Sequence, residues 1–218
     1  MTRRPTRTSL YLKSFPAILF LVACTAPGSS SYSSGSNDVS ARQQQVVRGR
    51  QLVLDHGCSD CHAMGVPSPL DPGFLAGTID TAQFQIGPFK TRARNLTPDN
   101  ATGLGRFSER QIFNAMRYGL RPGETPDVEI TSTTPGQGNF PARPRYLAPP
   151  MPWIAFRHMT DEQLYSIAAY LKNGLKPVNH RVADSEGPPD FWAGAYAVAK
   201  MGPYPAPPFP AAAEKGGQ

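Results

Sequence analysis

Cysteine is scarce in this sequence and occurs in an odd number. The 218 residues contain three cysteines. Two of them belong to one pentad, Cys58–His62 (CSDCH), and the third, Cys24, stands alone near the N-terminus. Because a fold that depends on disulfides needs several cysteine pairs, these numbers exclude a small disulfide-stabilised scaffold.

Excess positive charge is also nearly absent once the N-terminus is set aside. The formal net charge is +6, but Arg3, Arg4, Arg7 and Lys13 lie in the first 24 residues, which contain no acidic residue. The remaining 18 basic and 16 acidic residues leave a charge of only +2, and no run of Lys or Arg occurs among them. Nucleic acid is therefore not an expected partner.

No apolar run near the N-terminus reaches the roughly 20 residues that a membrane-spanning helix needs. The run over residues 15–23 is shorter, follows a basic start and ends in small residues. This pattern predicts a secretory signal peptide over residues 1–23. A buried helix is the alternative, and Pro16 together with the Ser-rich stretch that follows argues against it.

The four residues that close this signal, Leu21–Cys24 (LVAC), resemble the lipobox of bacterial lipoproteins. The resemblance implies cleavage just before Cys24, which would then be lipidated; an ordinary cleavage site with an incidental cysteine is the alternative. Thr25 follows where an inner-membrane retention signal has Asp, which favours the outer membrane. The small, polar residues 24–40 predict a flexible tether between a lipid anchor in the periplasm and a folded domain.

Helical apolar spacing recurs in three segments, over residues 41–56, 108–119 and 160–174. The second and third segments open with capping boxes, Ser108–Gln111 and Thr160–Gln163. Pro and Gly, 24 and 20 residues respectively, concentrate in the stretches between helices and in the tail. We therefore expect loops over 63–94 and 121–150, no evident strand, and an all-α domain with three main helices.

The pentad carries the strongest chemical signal, because its CxxCH spacing is that of c-type haem attachment. Cys58 and Cys61 would form thioethers with the haem vinyl groups, and His62 would bind the iron. A thioredoxin-like redox pair would need a strand–helix alternation that is not evident here. A zinc site would need further Cys or His residues at ligand spacing, and none are grouped in this way.

Residues 49–177 resemble the class I cytochrome c family, in particular bacterial mono-haem cytochromes and cytochrome subunits of periplasmic dehydrogenases. The resemblance rests on the pentad together with residues 95–105, 149–153 and 159–171. It implies a class I cytochrome c fold, with one covalently bound haem c and with the first and last helices crossing at Gly49 against Tyr170. The sequence departs from the family in the length of the 121–150 loop and in residues 183–218, which have no recognised counterpart.

A methionine as the second iron ligand would favour electron transfer, since the thioether raises the potential and leaves no open position. We predict Met151, which lies between Pro150 and Pro152 in the loop where the family places its ligand. Met159, just before the last helix, is the rival candidate. Met116 falls on an apolar helical stripe and is expected in the core.

The free ring nitrogen of His62 is expected to donate to a backbone carbonyl, because iron-binding histidines are usually oriented in this way. The family resemblance suggests the carbonyl of Pro88. Candidates for contacts with the haem propionates are Asn95, Trp153, Arg92 and Arg94.

Together these features predict a non-catalytic electron carrier between a dehydrogenase and a downstream respiratory acceptor, with no small-molecule substrate. Its parts are a signal peptide (1–23), a lipidated tether (24–40), a cytochrome c domain (41–182) and a Pro-rich extension (183–218). A di-haem peroxidase would need a second CxxCH, which the sequence does not contain. A five-coordinate ligand sensor is disfavoured while Met151 is a ligand.

A dedicated, non-catalytic cytochrome subunit of one oxidoreductase complex is the alternative, with Phe191, Trp192 and Tyr196 as docking residues. Clustered cations suggest a second docking hypothesis, a basic face around the haem edge that attracts an acidic partner, with scattered charges as the alternative. The cations in question are Lys90, Arg92, Arg94, Arg106, Arg110, Arg117 and Arg121.

Overall fold

The structure is a computed structural model that describes residues 34–63, 68–79, 82–196 and 201. The predicted signal peptide, the lipidation site Cys24 and most of the tether lie outside the described residues. The helices are α1 (Ser34–Asp55), α2 (Cys58–His62), α3 (Glu109–Tyr118), α4 (Trp153–Phe156) and α5 (Asp161–Asn173), with 3-10 turns at Pro122–Glu124 and Ala193–Tyr196.

The three predicted helices are confirmed as α1, α3 and α5, with one difference at a boundary. Helix α1 begins at Ser34, so residues 34–40, assigned to the tether from composition, are helical. Helix propagation explains the difference, because extending an existing helix costs far less than nucleating one. Among the described residues no helix is both long and apolar enough to span a membrane.

Both predicted capping boxes are present and set the starts of α3 and α5. The Ser108 hydroxyl accepts from the backbone N–H of Gln111, and the Gln111 side chain accepts from the backbone N–H of Ser108, both at 3.0 Å. Thr160 and Gln163 repeat this reciprocal pair at 3.2 and 2.8 Å. Gly119 ends α3 in the left-handed conformation, with φ of 68°, as its position after the apolar stripe suggested.

The prediction that residues 63–94 contain no strand is wrong. Two three-residue strands, β1 (Phe84–Ile86) and β2 (Phe89–Thr91), pair antiparallel with Phe84 opposite Thr91. Gly87 adopts φ of 53° in the two-residue turn between them, a conformation that favours glycine. Strands this short cannot display a period-two pattern, which explains why the hairpin was missed.

Helices α1 and α5 cross at Gly49, as the family resemblance implied. A Cβ atom on Gly49 would overlap the carbonyl oxygen of Ser166 and would lie 2.8 Å from the Cβ of Tyr170. The helices therefore meet backbone to backbone. Their apolar faces form the first core cluster with α3, around the fully buried Val53 and Leu164.

A second core cluster lies under the long 121–150 loop, around the fully buried Trp153. Tyr146 stacks on the Trp153 ring at 6.1 Å between centroids, and Tyr196 meets it edge-on at 5.1 Å. Trp192 and Tyr196 are only 5% and 6% exposed, so the expectation that they form a docking surface is wrong. Residues 183–196 instead complete this core, because burying large aromatic rings stabilises the fold strongly.

Candidate functional site

A cavity of about 600 Å³ lies between α2, the β-hairpin, the 121–150 loop and the start of residues 183–196, which we call the C-terminal segment. Cys58, Cys61, His62 and Met151 all line it. The structure thus brings together all four residues that the sequence analysis assigned to the haem. The remaining lining is largely apolar and comes from elements distant in sequence, with Phe84, Phe89, Leu147, Ala148 and Phe156 among its members.

The two pentad cysteines lie one helical turn apart on α2. Gly57 precedes this helix in the left-handed conformation, with φ of 62°, and allows the sharp change of direction after α1. Residues three apart on a helix share a face, which suits two thioether bonds to one ring. Burial raises the pKa of the Cys58 thiol to about 11 and also raises that of Cys61. A reactive redox pair needs a lowered thiol pKa, so the thioredoxin-like alternative is disfavoured.

The imidazole ring of His62 is oriented by a hydrogen bond at its Nδ1 atom. Its Nδ1 lies 2.7 Å from the backbone carbonyl oxygen of Arg94. Because a carbonyl can only accept, Nδ1 carries the proton in this hydrogen bond. Burial lowers the pKa of His62, while the bond to Arg94 opposes that change. The neutral ring then presents Nε2 with a free lone pair, the form that binds a metal.

The suggested partner of His62, the carbonyl of Pro88, is wrong. Pro88 lies in the turn of the β-hairpin, and a Cβ atom on Gly187 would overlap its carbonyl oxygen. The hairpin thus turns Pro88 towards the C-terminal segment. Its place beside His62 is taken by Arg94, six residues further along the chain.

Met151 lies in a loop whose backbone is fixed on both sides. Its N–H donates to the carbonyl of Ala148 at 3.0 Å, and its own carbonyl accepts from the N–H of Trp153 at 2.9 Å. The rival Met159 is 9% exposed, belongs to the first core cluster and is not among the cavity residues. Met116 is in the same core, as expected. The geometry therefore favours Met151 over Met159 as the ligand.

Two of the four proposed propionate contacts do not reach the cavity. Asn95 is 2% exposed, and its amide donates to the carbonyl of Val178 at 2.8 Å. Trp153 lies beneath Gly119, where a Cβ atom would overlap its ring. Arg92 and Arg94 do line the cavity, so they stay candidates for binding carboxylate groups there.

The hypothesis of one basic face is not supported by the positions of these cations. Arg92, Arg94 and Arg121 line the cavity, and each has an acidic partner, Glu186, Asp184 and Asp190 respectively. Arg117 is 3% exposed and pairs with Asp161 on α5. The positive charge around the cavity is therefore largely neutralised by the C-terminal segment.

This set of residues fits a haem c. Two thiols share a helical face, a neutral imidazole has its outer nitrogen fixed, and a thioether sulfur lines the same cavity within apolar walls. Residues 184–189 were missed as part of the site, and no local signal in the sequence identifies them. The aromatic residues of the hairpin were missed for the same reason.

No protein-family model matches the chain. Curated relatives do match, at 26–32% identity. The fructose dehydrogenase cytochrome subunit of Gluconobacter japonicus is 29% identical over 64% of this chain and 23% of its own length. The gluconate 2-dehydrogenase cytochrome c subunit of Pantoea cypripedii is 26% identical over 74% of this chain and 30% of its own length.

A third relative is the cytochrome c subunit of the quinone-dependent alcohol dehydrogenase of Gluconacetobacter polyoxogenes. It is 32% identical over 61% of this chain and 22% of its own length. The chain therefore spans less than a third of each of these three relatives. What it resembles in each is part of a cytochrome subunit of a dehydrogenase.

Proposed function

We propose that this protein is a mono-haem c-type cytochrome of the class I fold that carries electrons between a dehydrogenase and a downstream respiratory acceptor. The observation that supports this function best is the meeting of Cys58, Cys61, His62 and Met151 at one cavity. These four side chains come from two segments about ninety positions apart, and only the fold brings them together.

Each residue has a distinct part in holding the group. Cys58 and Cys61 would fix a haem covalently, and His62 and Met151 would bind its iron. Such a haem supplies one-electron transfer at a raised potential. With His62 and Met151 both bound to the iron, no position would be left for a substrate, which is why we propose a non-catalytic electron carrier.

Association with one dehydrogenase as a dedicated subunit is a second candidate. The three relatives named above are each called a cytochrome subunit of a dehydrogenase. Phe191, two residues after the cavity-lining Pro189, is 53% exposed and packs edge-on against Trp192 at 5.0 Å. It offers an apolar contact beside the neutralised cations, which suits a docking face of low net charge.

The test is electron transfer measured on the holoprotein. Purified protein, with one covalent haem per chain, is mixed with native membranes stripped of their own c-type cytochromes and supplied with a dehydrogenase substrate such as an alcohol or a sugar. We expect reduction of the haem and a second-order rate that changes little with ionic strength, because paired charges steer association weakly.

Two controls separate the outcomes of this experiment. The Cys58→Ser, Cys61→Ser double variant should carry no covalent haem and accept no electrons. A wild-type protein that is isolated without haem, or is not reduced by any dehydrogenase substrate, would contradict the proposed carrier. Stoichiometric purification with one dehydrogenase would identify the protein as a dedicated subunit.

We further propose that the protein is anchored in the periplasm through a lipid on Cys24, at the outer membrane. The support is the LVAC segment at the end of the signal-like run. Cys24→Ser is expected to give a soluble periplasmic protein that still carries haem, since the anchor and the pentad are separate along the chain. Fractionation followed by haem staining measures this.

Thr25→Asp provides the matched control for the anchor. It keeps Cys24 and adds the residue that resembles an inner-membrane retention signal, so the haem should stay membrane-bound but move to the inner membrane. If Cys24→Ser stays in the membrane fraction, the lipid anchor is wrong.

A further inference from the structure

Arg94 contacts two parts of the molecule that are far apart in sequence. Its backbone carbonyl accepts from His62 Nδ1 at 2.7 Å. Its guanidinium donates to the carbonyls of Val182 and Ala183 at 3.2 and 3.1 Å and to the hydroxyl of Ser185 at 3.1 Å. One residue therefore connects the proposed iron ligand to residues 182–186, which we call the brace.

The brace lies along residues 90–94 over its whole length. Lys90 and Glu186 exchange both backbone hydrogen bonds, at 2.8 and 2.9 Å. The hydroxyls of Thr91 and Ser185 lie 2.9 Å apart, and Arg92 donates to the carbonyl of Asp184 at 2.9 Å. The contacts repeat residue by residue, so the brace behaves as a short partner strand of β2 and its extension.

The packing beneath Arg94 leaves little room for movement. A Cβ atom on Gly77 would lie 2.5 Å from Val182 Cγ2 and 3.0 Å from the carbonyl oxygen of Ala93. The Gly77 N–H donates to the carbonyl of His62 at 2.8 Å. Gly77 is therefore packed closely between the brace, residue 93 and the end of α2, where His62 lies.

We propose that Arg94 is a positioning residue for His62: the brace fixes its guanidinium and thereby the carbonyl that orients the imidazole. The inference rests on the proposed function, in which His62 is an axial ligand. A hydrogen bond at the outer nitrogen of a ligating histidine fixes the ring and raises its basicity. Residues 182–186, most of which belong to the extension without a recognised counterpart in the family, would thus act on the haem through one side chain.

The test uses conservative variants that keep the charge near the haem constant. Arg94→Lys retains the positive charge and the backbone carbonyl. A single ammonium group, however, cannot replace a planar guanidinium that donates to three acceptors at once. Arg121→Lys is the matched control, because Arg121 also lines the cavity but donates to Tyr146 and Asp190, which lie outside the brace.

The main measurement is solvent exchange of the His62 Nδ1 proton, followed by NMR in the reduced holoprotein. In Arg94→Lys the carbonyl of residue 94 is no longer held in place, which should weaken the hydrogen bond that it accepts from His62 Nδ1. We expect exchange of the Nδ1 proton to accelerate about fivefold or more, which corresponds to losing about 1 kcal/mol from that bond. The potential should rise at the same time, because a less basic imidazole stabilises the ferric state less. Exchange in Arg121→Lys should stay within about twofold of wild type.

Ser185→Ala covers the case in which Arg94→Lys does not fold. It removes one acceptor of Arg94 without changing any charge, and it should also accelerate the exchange. Unchanged exchange in every variant that folds, or equal acceleration in the Arg121 control, would overturn the inference while leaving the proposed function intact. A wild-type protein without covalent haem, or without a His62 ligand, would overturn both.

Discussion

Met151→Ala is expected to retain covalent haem while losing the sixth iron ligand. Cys58, Cys61 and His62 all lie on α2, apart from the loop that carries Met151, so covalent attachment should be unaffected. Loss of the thioether should lower the potential by about 100 mV or more, within the roughly 0.8 V range that axial ligands span. The variant should also bind carbon monoxide, which we expect the wild type not to bind.

The measurements are a redox titration, the weak absorption band at the red end of the spectrum that reports Met–iron coordination, and carbon monoxide binding. Met159→Ala is the matched control. Met159 is 9% exposed in the helical core, so its truncation should cost about 2–5 kcal/mol of folding free energy while the red band persists. Loss of the band in Met159→Ala, with an unchanged spectrum in Met151→Ala, would move the ligand to Met159.

Gly49→Ala is expected to destabilise the fold strongly. The added methyl group would overlap the carbonyl oxygen of Ser166 and would lie 2.5 Å from its carbonyl carbon and 2.8 Å from Tyr170 Cβ. These atoms belong to the helix backbone or are attached directly to it, so no flexible side chain can move aside. Helices α1 and α5 must separate, and we expect a loss of about 2 kcal/mol or more, despite the better helix propensity of Ala.

The free energy of unfolding is measured by denaturant titration of the holoprotein. Gly123→Ala makes the same chemical change where nothing lies within 4 Å of the new atom. It should alter stability by no more than about 0.5 kcal/mol. Equal effects of the two substitutions would mean that the close approach of α1 and α5 does not stabilise the fold.

Features that depend on residues a few positions apart could be predicted from the sequence. Both capping boxes link a side chain to a backbone N–H three residues away, and the pentad needs only the spacing of Cys58 and Cys61. The crossing at Gly49 was predicted differently, through the family resemblance. Neither kind of inference needed a knowledge of how the loops fold.

The acceptor of His62 was decided by tertiary structure. Pro88 and Arg94 both precede the NLTPD stretch over residues 95–99, and a hairpin of three-residue strands determines which carbonyl faces the imidazole. The sequence separations explain the difficulty: His62 and Arg94 are 32 positions apart, and Arg94 and Val182 are 88 apart. Such contacts depend on the paths of loops, and composition does not encode those paths.

By itself, the sequence determined the three main helices, their caps, the CxxCH pentad and the two methionines from which a ligand could come. Only the tertiary structure decided that Met151 reaches the cavity, that Trp192 and Tyr196 are buried, and that Asp184, Glu186 and Asp190 neutralise the cations around it. The physical reason is the separation along the chain over which each kind of interaction acts. Helix signals act within one or two turns, whereas burial and ion pairing depend on which distant segments the whole chain brings into contact.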